Sequence, residues 1–365
     1  MSFWRGMSVL VTGHTGFKGS WLSLWLARLG AQVHGLALPP PSEPSLFVEA
    51  QVADRLASHR ECDVRDADGL RQALRETRPE IVFHLAAQTL VRRSYAQPAE
   101  TFATNVMGAV NLLQAVRDCE TVRVVVMITS DKCYENREWP YAYRETDPLG
   151  GRDPYSASKA AQELAIASWR RSFLAIAPVP VSVASARAGN VIGGGDWAED
   201  RLVPDCIRAL ERGETLALRY PNAVRPWQHV LEPLSGYLTL AEHQWEAPRL
   251  FAEAWNFGPY QHAPVSVGAV VATIESSWGG RADVSAAPSG LEAHEHHMLM
   301  LDIGKAMAKL GWHPRYDTTT AISETVTWYR RRQELGDDFD AAACCEAQIA
   351  AYEARAPINA LGVSA

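Results

Sequence analysis

The sequence predicts an α/β fold, a doubly wound parallel sheet with a smaller mixed α/β unit over one edge. Three observations predict it. Strand and helix signals alternate through the first half of the chain. Two apolar runs, residues 81–85 and 122–129, suit strands buried on both faces. A glycine-rich turn joins the first strand signal to the first helix signal.

Residues 8–12 read as the first strand. Residues 17–29 read as a helix with Trp21, Leu22, Trp25, Leu26 and Leu29 on one face. Residues 32–38 form the second strand signal, residues 105–117 and 155–170 read as helices, and residues 179–186 close a further strand. Past Gly189 the pattern changes. Gly193-Gly194-Gly195 marks a turn, and short helices and irregular segments are expected between Pro204, Pro221, Pro226 and Pro233. Residues 39–44 read as a rigid loop and not as an interdomain linker. The expected division sets residues 1–189, rejoined by about 230–258, against residues 190–229 and 259–356, with 357–365 a frayed tail.

Composition narrows the function classes. The chain has 365 residues, of which 47% are hydrophobic, enough for a large core. Its formal charge is -7 and it has no long basic run, which argues against a nucleic-acid partner. The apolar stretch at residues 173–186 is broken by Pro178 and Pro180 and is too short to span a bilayer, so no membrane partner is expected. A strand begins almost at once, with no charged-then-apolar leader before it. Six cysteines show no metal or redox spacing, which fits a reducing cytoplasm. Cys344 and Cys345 read as ordinary helix residues.

The turn Gly13-His14-Thr15-Gly16-Phe17-Lys18-Gly19 has GxxGxxG spacing between strand and helix. Its glycines let backbone N–H groups approach a pyrophosphate at a helix N-terminus, the Rossmann-type dinucleotide site. An NAD site usually carries an acid near the end of strand two. Here Ala37-Leu38-Pro39-Pro40 supplies none, and no arginine for a 2′-phosphate either, so NAD versus NADP stays open on the residues alone. Asp63, followed by Val64, either bonds the adenine amino group or caps the helix predicted at 67–76.

Tyr155 and Lys159 are four residues apart and share a helix face. An ammonium there stabilises a tyrosinate and makes Tyr155 a base for a sugar hydroxyl. Ser130, Asp131 and Lys132 follow a predicted strand, at the sheet edge where ligands bind in open α/β folds. Ser130 either bonds the reacting hydroxyl or caps a turn. Tyr134 beside them reads as packing.

These features resemble the short-chain dehydrogenase/reductase superfamily. His84-Leu85-Ala86-Ala87-Gln88, Asn105, Arg187-Ala188-Gly189-Asn190 and Arg225-Pro226-Trp227 point to its extended branch, which acts on nucleotide sugars. Longer stretches are similar to the CDP-glucose 4,6-dehydratases: residues 13–22, Pro44-Ser45-Leu46-Phe47, Ser130-Asp131-Lys132-Cys133-Tyr134, residues 190–197, residues 225–230 and Leu310-Gly311-Trp312-His313-Pro314. The resemblance implies NAD as cofactor, held by Gly13, Gly16, Phe17, Gly19, Asp63, Val64, Ala86, Ala87, Asn105, Tyr155 and Lys159. It implies CDP-glucose as substrate, a role in deoxysugar synthesis for surface polysaccharide or a glycosylated product, and a homodimer or homotetramer paired through the helices at 105–117 and 155–170.

Dehydration needs an acid/base pair beyond Tyr155. Asp131 is expected to protonate the C6 oxygen and Lys132 to remove H5, which requires a protonated Asp131 and a neutral Lys132 against their ordinary states. Lys132 alternatively pairs with Asp131 or a phosphate. Asn190 and Arg225 are expected substrate contacts. Arg201 is a third candidate or a surface arginine, and His229 lies near the nucleotide or is structural. His294-Glu295-His296-His297 lacks HExxH spacing, so no metal is expected. Trp227, Trp255 and Trp312 are expected to pack the second unit. A 4-epimerase needs no acid for C6, and a nucleotide sensor needs neither the acid nor the Tyr–Lys pair.

Overall fold

A parallel sheet of seven strands frames the molecule. The structure, a computed structural model, describes residues 2–218, 220–260, 265–286 and 298–358. The first half runs β1 (Ser8–Thr12), α1 (Phe17–Arg28), β2 (Gln32–Ala37), α2 (Leu46–Glu49), β3 (Ser58–Glu61), α3 (Ala67–Thr77), β4 (Ile81–His84), α4 (Val91–Ala96), α5 (Pro98–Phe102), α6 (Gly108–Arg117), β5 (Val124–Ile128), α7 (Pro154–Trp169) and β6 (Ser182–Ala188). The second half runs β7 (Val191–Ile192), α8 (Leu202–Arg212), β8 (Thr215–Leu218), β9 (Val224–Arg225), β10 (Gln228–His229), α9 (Leu231–Glu246), α10 (Pro248–Phe251) and β11 (Ala254–Phe257). It continues with β12 (Val265–Ser266), α11 (Val267–Trp278), β13 (Asp283–Ala286), α12 (Gly304–Leu310), α13 (Thr318–Leu335) and α14 (Ala341–Ala354).

The sheet order is β3-β2-β1-β4-β5-β6-β11, all pairings parallel. Strand order reverses between β1 and β4, and that switch point opens the ligand crevice. β5 illustrates how the sheet is covered on both sides. Val124, Val126 and Ile128 enter one core while Val125 and Met127 enter the other, because successive side chains point to opposite faces.

Several expectations need correction. Residues 19–26 of α1 are all buried, so the helix is enclosed all round and not along one stripe. The helix holding Asn105 begins further upstream and passes through a π-turn at Ala103–Met107. β3 was not predicted, because Ser-His-Arg-Glu carries no apolar signal; its polarity suits a sheet edge that must not pair further. The second half holds long helices, with 16, 18 and 14 residues in α9, α13 and α14. Pro204 and Pro233 lie in the first turns of α8 and α9, where the missing N–H removes no helix bond. Trp255 lies in β11 and so packs the main sheet. The His294–His297 run and the tail beyond Ile358 lie outside the described residues.

The loop after β7 is wedged in place. A Cβ on Gly194 would lie 2.0 Å from the Trp328 ring, and Gly194 O accepts from Trp21 Nε1 at 3.0 Å. Tyr329 donates to Asp196 O at 2.6 Å, and Trp197 Nε1 donates to Glu49 at 3.0 Å.

Glu232 ties α9 to the C-terminal segment. Its carboxylate accepts from Arg315 N at 2.9 Å, Tyr316 N at 2.6 Å and Tyr352 Oη at 2.8 Å. Burial pushes it up from 4.5 to about 7, and those bonds together with the Arg315 charge oppose the rise. Between these values the folded protein holds a proton that the unfolded chain has released. Stability from this group is therefore full below the unfolded value and is lost as pH rises through about 7. We expect wild type to lose up to about 3 kcal/mol more than Glu232→Gln between pH 5 and 8. Urea melts at both pH values measure it, and equal losses refute it.

Candidate active site

The chain leaves β1 through Gly13, whose φ is +76°. A Cβ there would sit 2.6 Å from Ala86 N, just past β4, and one on Gly19 would sit 2.1 Å from Gly13 O. Only glycine allows backbones this close. α1 starts after Gly16 with no side-chain cap and no acidic residue in its first turn. Its N–H groups and dipole are thus available to an anion. Ala86 N donates to Thr12 Oγ1 at 3.3 Å, and small Ala87 follows. Asn105 ties this segment to α7. Its Oδ1 accepts from Gln88 N at 2.8 Å, and its Nδ2 donates to Gln88 O at 3.0 Å and Ser158 Oγ at 2.9 Å. Glycines at closest approach, a bare helix terminus and small flanking residues fit a dinucleotide.

A histidine pair lies against Gly35 within β2, upstream of residues 37–40 where an acid was sought. A Cβ on Gly35 would lie 2.5 Å from the His14 ring. His14 Nε2 is 2.7 Å from His59 Nδ1, and burial with the neighbouring His59 lowers His14 to about 4. Asp63 binds Arg65 N at 2.8 Å and Arg65 Nε at 2.9 Å. The capping alternative for Asp63 is corrected, because Asp66 is the residue directly before α3 and accepts from Asp68 N and Gly69 N. Val64 is buried, and a Cβ on Gly108 would lie 2.7 Å from its Cγ2.

Ser130 caps a 3-10 turn at Asp131–Cys133, its Oγ accepting from Lys132 N at 3.2 Å. The same hydroxyl donates to Asp131 Oδ1 at 3.0 Å. Asp131 Oδ2 is buried with no partner among the described residues. Burial raises the Asp131 carboxyl above its usual range, against the pull of Lys132, Ser130 and Arg225. The neutral form is favoured, and one oxygen is left uncommitted. Lys132 is half-buried beside it.

α7 carries Tyr155 and Lys159 into the same interior. Asp153 caps the helix by accepting from Ser156 N at 2.9 Å, and Tyr155 N donates to Ser94 Oγ at 3.2 Å. Burial pushes Tyr155 up to about 12, while the Ser130 hydroxyl and the Arg201 charge draw it back. Burial lowers Lys159 to about 8, against the attraction of Glu163. Lys159 Nζ donates to Gln162 Oε1 at 3.0 Å.

Arg225 is buried, donates to Val224 O at 3.0 Å and acts on Asp131. Asn190 is half-buried, its carbonyl accepting from Gln228 N at 3.0 Å. Arg201 is more than a surface arginine, since it pairs with Asp196 at 2.8 Å, reaches Thr89 at 3.2 Å and acts on Tyr155. His229 lies in the core between Trp21 and Tyr316, and burial lowers it to about 3. Tyr134 is buried and bonds Asn256 and Arg187, as packing requires.

Two groups at the site escaped the sequence reading. Lys18 donates to Tyr237 Oη at 3.0 Å, and burial with the nearby Arg201 and Lys159 charges lowers it to about 7. Its signal was a cation in the first turn of a helix, where the dipole disfavours it. The buried Arg187–Glu163 pair, at 2.8 Å, lies beneath Lys159, and only three-dimensional packing reveals it.

Comparison with known proteins agrees with this geometry. Residues 10–325 match the model of the GDP-mannose 4,6 dehydratase family. The chain is 50% identical over 333 residues to the CDP-glucose 4,6-dehydratase of Salmonella typhimurium, covering 90% of this chain and 92% of that one. Among solved structures, the UDP-glucose 4-epimerase of Thermus thermophilus in complex with NAD is 25% identical, with a TM-score of 0.75 over 89% of this chain and 99% of that one. The UDP-glucose 4-epimerase of Thermotoga maritima, at 22% identity, shares the fold with a TM-score of 0.76 over 90% of this chain and 100% of that one. By the extent of the family match and the identity to the Salmonella enzyme, the chain belongs to the GDP-mannose 4,6-dehydratase family, within the extended short-chain dehydrogenase/reductases.

Proposed function

We propose that this chain is an NAD-dependent lyase that converts CDP-glucose to CDP-4-keto-6-deoxyglucose and water. The observation that carries the reading is Asp131, a buried carboxyl with its charge disfavoured and one oxygen unpartnered, joined through Ser130 to the surroundings of Tyr155. Epimerisation at C4 has no use for such an acid. The identity to the Salmonella enzyme supports the CDP-sugar.

Gly13, Gly16, Phe17, Gly19, Ala86, Ala87 and Asn105 would hold NAD, with Asp63 and Val64 toward its adenine. When bound, it supplies a hydride acceptor for C4 and a hydride donor for C6. Tyr155 takes the proton of the C4 hydroxyl while Ser130 holds that oxygen. The ketone acidifies the C5 hydrogen. Lys132 removes it, and the electron pair forms the C5–C6 double bond as the C6–O bond breaks. Asp131 gives its proton to the departing oxygen, which leaves as water. Lys132 then returns a proton to C5. Ser130 touches Asp131 and acts on Tyr155, so the proton gathered at C4 replaces the one Asp131 lost. One water is lost, with no net redox change.

Arg225 and Arg201 are assigned to the diphosphate as planar forks, with Asn190 beside them. Residues 190–229 and 259–356 would form the substrate unit. Exposed Phe102, Met107 and Leu164 on α5, the π-turn and α7 suit pairing with a second copy as a homodimer or homotetramer. Six free cysteines suit the cytoplasm.

Incubation with NAD and each of CDP-, dTDP-, UDP- and GDP-hexoses, read by mass spectrometry, tests the reading. Loss of one water from CDP-glucose alone is expected. A mass-neutral isomer makes the protein an epimerase, and NAD binding without turnover makes it a sensor. Asp131→Asn should keep NAD binding and C4 oxidation and lose dehydration by about 10²–10⁴-fold. Dehydration at the wild-type rate removes Asp131 from its role. Lys132→Met should slow exchange of the C5 hydrogen with solvent deuterium, and normal exchange would leave Lys132 a bystander.

A further inference from the structure

Gln162 is fully buried on α7, three residues beyond Lys159. Its Oε1 accepts from Lys159 Nζ at 3.0 Å, while its Nε2 is buried with no partner among the described residues. An interior amide with an unpaired donor end costs free energy, and an apolar side chain of the same size would avoid that cost. The contact with Lys159 is what the amide provides in return. It also has a direction. Tyr155 lies four residues before Lys159 and Gln162 three after, about 10 Å from each other along the helix axis. An ammonium drawn to the amide is drawn away from the phenol.

We propose that Gln162 is a positioning residue that holds the Lys159 ammonium off Tyr155, so that the lysine aids the tyrosine only when this bond is exchanged. The inference rests on the reading of Tyr155 as the C4 base. The charged and titratable groups around the pair are Glu163 and Cys133, with His84 and Lys18 also sensing the Lys159 charge. Around Tyr155 they are Asp131, Arg201 and Asp153. Glu163 attracts the Lys159 charge, but both its oxygens are already taken by Thr129, Ser185 and Arg187, so releasing Lys159 from Gln162 leaves the ammonium free to turn toward the phenol. A second charge at position 162 would have the opposite effect and pin the amine where it is.

Two variants test this by moving in opposite directions. In Gln162→Met the ammonium loses its acceptor, and Tyr155 should ionise at least about one pH unit lower. In Gln162→Glu an ion pair pins the ammonium, and Tyr155 should ionise no lower than in wild type. The first measurement is tyrosinate absorbance of the full-length protein alone against pH, with Tyr155→Phe subtracted in each background. The second is the pH profile of single-turnover C4 oxidation. Its acid limb should move down for Gln162→Met and up for Gln162→Glu. A purely structural role would move both variants the same way, or change amplitude without moving the limb. Either outcome overturns the inference, as does an unmoved Tyr155 titration in Gln162→Met. Should the methionine variant fail to fold, the isosteric glutamate carries the test, and an acid limb at the wild-type position then overturns it. Failure to bind NAD or to oxidise any sugar would count against the proposed function, while the absorbance titration still reads Gln162.

Discussion

Burial is the largest influence on the protonation of Tyr155, Asp131, Lys159, Lys18 and His84. It raises the tyrosine and Asp131, and it lowers Lys159, Lys18 and His84. Each shift favours the neutral form, as expected where charge has left water. The exception is Glu163, where burial is outweighed by the charge and hydrogen bonds of Arg187 and by Thr129 and Ser185. That pair keeps one fixed charge couple beneath the site.

The sheet imposes that burial. β4 and β5 are covered on both faces, and their carboxyl ends deliver Ala86 and Ser130 into the same crevice. The cradle and the acid cluster are therefore held by strands two positions apart in one ladder. A one-residue slip between these strands would turn the buried faces over and break their mutual geometry, so the paired register fixes the site.

Much of this was legible in the residues. Strand–helix alternation, apolar runs and turn glycines reported local geometry, and they located the sheet, the cradle and the trio. β3 was invisible because an edge strand needs no apolar signal. The long helices of the second half were obscured by prolines, which break a helix in its interior and not in its first turn. Lys159 was legible as a neighbour of Tyr155, yet the lowering of its amine was not, because desolvation depends on what the rest of the chain packs around it. Gln162 and Glu163 read as ordinary helix residues for the same reason. The alternatives for Arg201 turned on Asp196 and Thr89, one far away in sequence.

The wedging of the loop after β7 bears on how ligand affinity is shared out. With Gly194 seated against Trp328 and Asp196 and Trp197 tied to α13 and α2, the segment from Asn190 to Arg201 is preorganised. Little conformational entropy remains there for any ligand to quench. The same anchoring limits transplantation. A graft of this loop into a relative would carry its geometry only if the tryptophan and tyrosine of α13 and the indole of Trp21 travelled with it.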